Sequence, residues 1–195
     1  GTKFGKTEKG AVWISADRTS PYTLYQFLIN LSDDEARHFA LFFSLEDRAA
    51  IEAMFARHAD KPSSRVIQRH VAREITALLH GQQAASRAVQ ASEALFAGDV
   101  HTIDADMLGE MSDVPAVDLP LNLLDDAGMS ATDLLIAVEL ASSKRDAREH
   151  VGNAAVQVNG HKADSTTMVT RDDLLHGSVI FVRRGKREWR LARFE

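Results

Sequence analysis

The 195-residue sequence has no cysteine, four prolines, two tryptophans, two tyrosines, and no apolar run near the roughly 20 residues that a membrane-spanning helix needs. The missing cysteine excludes disulfides and thiolate chemistry and agrees with an expected cytoplasmic setting. No basic segment followed by a hydrophobic stretch occurs near the N-terminus, so the chain reads as neither secreted nor membrane-bound. It also lacks a surplus of positive charge: 23 Lys and Arg stand against 28 Asp and Glu, a net charge of −5. What it does have is 45% apolar residues, enough for a packed core in one ordinary domain or two small ones.

The charge is unevenly distributed. Residues 1–130 hold 12 basic and 19 acidic side chains, whereas 131–195 hold 11 basic and 9 acidic. Between Arg87 and Lys144 there is no Lys or Arg, and eleven acids fill that gap. Such a stretch repels a polyanion, so any surface for one must lie before it, after it, or on both sides.

The pattern predicts four regions. Residues 1–19 form a glycine- and lysine-rich loop and lead-in. From 20 to 98 the periodicity is helical throughout. Ser20 caps a helix with Pro21 in its first turn, and Ser32-Asp33-Asp34-Glu35 spells a capping box for a helix to about Phe43. Further helices are expected over about 45–59, 64–80 and 82–97, the last two stopped by Gly81 and Gly98. Tyr22, Tyr25, Phe27, Phe39, Phe42 and Phe43 have helical spacing and are expected in the core. Residues 99–129, acidic and holding Pro115 and Pro120, are expected to be a linker with a turn or two of helix. In 130–195, Ser130 opens a helix to about Ala141 and Ser143 caps another to about Val151. The period then changes to two, with an Asn159-Gly160 hairpin and a closing hairpin around Gly185-Lys186. The expected fold is an all-α helical domain followed by a small α+β domain.

Three constellations carry chemistry. Lys3-Phe4-Gly5-Lys6-Thr7 can surround phosphates, although no Walker loop is spelled there. Lys61, Arg65, Arg69 and Arg73 recur every four residues, a sloping cationic stripe opposite Ile67, Val71, Ile75 and Leu78. Ser143-Lys144-Arg145, followed by Arg148, puts three cations in the first turns of a helix, where they oppose the macrodipole. A polyanion would resolve that conflict. Asn159, Lys162, Arg183, Arg184, Lys186 and Arg187 add polar and cationic groups near the two hairpins. The eight histidines are scattered and no metal site is expected.

These residues carry a resemblance. Lys3 to Thr7 resembles the second signature of class I aminoacyl-tRNA synthetases, in the form used by bacterial tyrosyl-tRNA synthetases. Trp13, Ser20 to Asn30, and Leu78-Leu79-His80-Gly81 are similar to later blocks of that family. Ser143-Lys144, Ala147-Arg148 and Val156 to Gly160 resemble the RNA-binding module named for ribosomal protein S-four. The resemblance implies a C-terminal fragment of such a ligase: signature loop, helical anticodon-arm domain, acidic linker and S-four-like domain, with the catalytic Rossmann domain absent. It implies that Lys3, Lys6 and Thr7 steady the phosphates of ATP, with Mg2+, in the parent enzyme, and that the parent is a homodimer through its catalytic domain. The fragment itself would bind tRNA(Tyr) without catalysis and without a cofactor, through the two cation clusters. Lys144 stands where the module more often has Arg and cannot make a bidentate fork. Two other readings are an RNA-binding module of a ribosomal or RNA-modifying protein, and a helical interaction scaffold.

Overall fold

The computed structural model describes residues 6–7, 10–111, 114–125, 127–186 and 188–195, with side chains from residue 11 onward. It divides into two compact units: Gly1–Glu93 with Gly109–Met111, and Ala94–Leu108 with Ser112–Glu195.

In the first unit a short ladder pairs β1 (Lys6–Thr7) with β2 (Gly10–Ala11), and helices follow. α1 (Pro21–Ile29) starts where expected, with the Ser20 hydroxyl accepting the Thr23 N–H at 3.1 Å and donating to the Glu110 carbonyl at 2.6 Å. α2 (Asp33–Phe43) carries the complete Ser32–Glu35 capping box. α3 (Arg48–Asp60) begins at an Asp47 cap, a little later than the periodicity suggested. α4 (Val66–His80) and α5 (Gln82–Ala97) stop at Gly81 (φ 87°) and Gly98 (φ 84°), conformations that glycine adopts without Cβ strain.

α1 and α2 both pack on α4. Tyr22, Leu24, Tyr25 and Leu28 of α1 and Ile67, Val71 and Ala72 of α4 are buried, each large side chain contributing about 1.5–3 kcal/mol. α2 turns only Ala36 and Ala40 inward, which allows close approach. Phe42 lies about 200° around the helix from Ala40 and is 78% exposed, so the expectation of a core role fails there and for half-exposed Phe43. Leu78, expected on the buried face of α4, is exposed.

The second unit is built on a five-stranded sheet of order β3-β9-β8-β5-β6. Its strands are β3 (Ala116–Leu119), β5 (Val156–Val158), β6 (His161–Lys162), β8 (Val179–Arg184) and β9 (Glu188–Phe194). A separate ladder joins β4 (Met129–Ser130) to β7 (Met168–Val169). α7 (Ala131–Ala137) and α8 (Lys144–Gly152) cover one sheet face, packing Leu134, Leu135, Ala147 and Val151 against Val156, Ile180, Val182 and Ala192. The Ser130 and Ser143 caps form as expected, but α7 ends before Ala141. Glu139 takes φ 59°, and the Leu140 and Ala141 N–H groups both donate to the Leu135 carbonyl.

The stretch expected as a linker is folded. It contains a short α6 (Ala105–Glu110), β3 and β4, and it buries Val100, Ile103 and Leu124. β3 runs parallel to β9, Ala116 opposite Leu191 through Leu119 opposite Phe194. Ala116 and its one acid, Asp118, are exposed, while Val117 and Leu119 on the alternate positions are half-buried.

Candidate nucleic-acid interface

α8 is an amphipathic helix whose inward residues are Ala147 and Val151. Ser143 accepts the Asp146 N–H at 3.2 Å, and the Asp146 carboxylate accepts the Ser142 N–H at 2.9 Å. That backbone bond holds the Asp146 carboxyl below the usual range. Turned away from the core, Lys144, Arg145 and Arg148 are exposed around the first two turns. Lys144 lies 3.1 Å from Asp133, whose carboxyl is held low first by the Ser130 hydroxyl and then by this ammonium. Both partners are about half exposed or more, so the pair is weak and leaves Lys144 available to a stronger anion. Among the described residues, neither Arg145 nor Arg148 forms a salt bridge; Arg148 acts on Asp133 only at longer range, as the weakest of the influences that lower its carboxyl.

Two residues expected at this surface have other duties. Asn159 is 5% exposed; its Nδ2 donates to the Asp173 carbonyl at 2.6 Å and its Oδ1 accepts the Phe181 N–H at 2.9 Å. With Gly160 it forms a turn in which both residues have positive φ (47° and 83°), as the Asn-Gly pair suggests. Both amide ends are used inside the fold, which withdraws the side chain from any ligand. Arg184 bonds the Leu140 carbonyl through Nη1 and pairs with Glu188, fixing the end of the α7 turn to the sheet. It too is spent internally.

Lys162 and Arg183 stand on the sheet. The register places Lys162, Gln157, Arg183 and Trp189 directly opposite one another on β6, β5, β8 and β9, so all four project from one face. This is the face opposite α8, because the alternating residues Val156, Val158, Val182 and Ala192 belong to the α7–α8 core. Cation spacing does not point to Gln157 or Trp189; the strand register brings them into the row. Lys186 is exposed in the turn, and Arg187 lies outside the described residues.

The expected stripe of the helical unit is interrupted. Lys61 is not on α4: it is the exposed C-cap of α3. Arg65, with φ 52°, precedes α4, and its guanidinium donates to the Ile29 and Leu31 carbonyls at 2.7 and 3.0 Å. The end of α1 offers uncapped carbonyls there, and Arg65 satisfies them. Arg69 is exposed, 3.9 Å from Glu93 at the outer limit of an ion pair, and Arg73 is exposed beside Glu46 and Glu74 in a groove also lined by Leu45 and Leu78. The stripe thus reduces to Lys61, Arg69 and Arg73. Lys3 lies outside the described residues; Lys6 and Thr7 sit in β1, and their side chains are outside the description.

Comparison with known proteins gives two family matches that together take in most of the chain. Residues 1–97 match the model of tRNA synthetases class I (W and Y), and residues 106–192 match that of the tyrosine–tRNA ligase SYY-like C-terminal domain. A tyrosine–tRNA ligase of Roseiflexus castenholzii is 39% identical over 99% of this chain and 46% of its own length. One from Desulfitobacterium hafniense is 40% identical over 99% of this chain and 45% of its own. A solution structure of a tyrosyl-tRNA synthetase C-terminal domain is 31% identical and matches 52% of this chain and 100% of that one, with a TM-score of 0.40. The chain spans about half the length of the curated relatives it matches.

Proposed function

The chain belongs to the tyrosyl-tRNA synthetase family, of which it is a C-terminal part, and from this premise we propose that it grips the anticodon arm and neighbouring parts of tRNA(Tyr) for a tyrosine–tRNA ligase. The observation that carries the proposal is the first half of α8: Arg145 and Arg148 are exposed, form no salt bridge among the described residues, and stand beside a helix N-terminus where positive charge is otherwise unfavourable. A phosphate placed there meets two guanidinium groups, the Lys144 ammonium and the helix dipole together. Lys162, Arg183 and Lys186 extend the positive surface of that unit, and Lys61, Arg69 and Arg73 supply the helical unit. Phosphate contacts of this kind position an RNA and make its binding salt-dependent.

In the whole ligase, tyrosine would be activated with ATP and Mg2+ and passed to tRNA in the cytoplasm by a homodimer. Lys3, Lys6 and Thr7 would serve the ATP phosphates. This C-terminal part would bind tRNA and give no pyrophosphate exchange with tyrosine and ATP.

Fluorescence anisotropy of labelled tRNA(Tyr) across 50–300 mM salt tests this reading. The log–log slope is expected to be about −0.7 to −0.9 per phosphate neutralised. Arg145→Ala and Arg148→Ala should each weaken binding and flatten the slope by roughly one. A flat salt dependence, or equal affinity for ribosomal RNA fragments, would overturn it.

A further inference from the structure

The sheet face turned away from α8 adds to two of the cations already named an indole and an amide, groups that phosphate binding alone does not require. Lys162, Gln157, Arg183 and Trp189 lie side by side across four strands. At about 4.8 Å per strand the row is about 14 Å long. The next pair on the same face, Phe181 opposite Leu191, is fully buried, so the row marks where the covered sheet becomes accessible. Phe181 meets the Trp189 ring edge-on at 6.2 Å, and the Arg183 guanidinium lies 5.4 Å from the ring centroid. Arg183 is held further by Nε donating to the Gly185 carbonyl at 2.9 Å and Nη1 to Gln157 Oε1 at 3.4 Å. These contacts fix the orientation of the planar groups before any ligand arrives.

The polar capacity of the row is not exhausted. Among the described residues, Gln157 Nε2 and the Lys162 ammonium have no partner, and no carboxylate pairs with Lys162 or Arg183. Gly98 lies against the two middle members of the row without a side chain: a Cβ there would stand 3.3 Å from Gln157 Oε1 and 3.6 Å from Arg183 Nη1. An indole, a guanidinium, an amide with free donors and an ammonium, with no acid among them, match one chemistry. An unpaired nucleobase offers a flat π-face and a hydrogen-bonding edge, and its phosphate offers the negative charge.

We propose that the Lys162–Gln157–Arg183–Trp189 row is a second RNA site, which stacks an unpaired base of the bound tRNA on Trp189 and reads its edge with Gln157, while Arg183 and Lys162 take the flanking phosphates. This deepens the tRNA-binding reading and rests on it. Four-stranded sheets of other RNA-binding folds hold two or three unstacked bases on this scale, whereas the paired grooves of an RNA duplex are read mainly by shape and backbone.

The chain has only two tryptophans, Trp13 and Trp189, so the Trp13→Phe variant makes Trp189 the sole indole reporter. Titrating it with a single-stranded hexa-adenylate, and separately with a blunt-ended RNA duplex that has no unpaired base, should quench the indole only with the former. Trp189→Leu in the otherwise unaltered chain should weaken hexa-adenylate binding by about 5- to 150-fold, and Trp189→Phe, which keeps an aromatic face, by less. An indole indifferent to hexa-adenylate in a protein that still binds tRNA(Tyr) with a steep salt slope overturns this inference and leaves the tRNA reading intact. Failure to bind tRNA at any salt overturns that reading instead.

Discussion

Replacing Asn159 separates a residue that holds the fold from one that touches RNA. In Asn159→Ala the Phe181 N–H loses its acceptor at 2.9 Å and the Asp173 carbonyl its donor at 2.6 Å. The Asn159 side chain is buried, so each stranded group costs about 1–3 kcal/mol. Alanine must also take φ 47°, which adds about 1–2 kcal/mol. The sum is about 3–8 kcal/mol, comparable to the whole stability of a small domain. Asn159→Gly loses the same two bonds but adopts positive φ freely, so it should be less damaging than alanine by about 1 kcal/mol. Urea unfolding followed by Trp189 fluorescence in the Trp13→Phe background measures both. Near-native stability of Asn159→Ala, with tRNA affinity lost, would refute the reasoning and restore the residue to the interface.

Two further substitutions follow from the helical unit. Arg65→Ala removes the donor that serves the Ile29 and Leu31 carbonyls. It should lower the stability of that unit by about 1–3 kcal/mol while leaving the salt slope of tRNA binding unchanged, a combination read by thermal melts and anisotropy. The Asp33 carboxyl is held below the usual range first by the Gln68 amide and then by His58. Its folded value is depressed, so its stabilisation is present above the unfolded value near ~3.9 and disappears as pH falls through the folded one. Asp33→Asn should therefore flatten the loss of stability below about pH 4 in an acid titration followed by circular dichroism; an acid limb identical to that of the parent would exclude this role.

Most of the helical architecture was legible because its signals are local. Ser20, Ser32 and Ser143 cap within three residues of themselves, and Gly81 and Gly98 end their helices by backbone freedom alone. The Asn159-Gly160 hairpin was legible for the same reason. β3 was not, because its four residues acquire strand character only from partners at 191–194, and acids and prolines around it suggest a spacer. The site divided in the same way. Cation spacing singled out α8 as a cationic helix but could not tell Arg148, which faces solvent, from Arg65 and Arg184, which are claimed by carbonyl groups of distant segments. Trp189 and Gln157 were invisible for want of register: Gln157 pairs with residues 162 and 183, and no window along the chain contains all of them.

The placement of β9 between β3 and β8 has a bearing on how the protein is made. The strand latest in chain order occupies an interior position, so a nascent polypeptide halted before residues 188–194 would present two unzipped edges, one from each neighbour. Completion of this sheet accordingly waits until residues 188–194 have been made, and truncation before them would leave a product primed for self-association and for capture by chaperones or proteases.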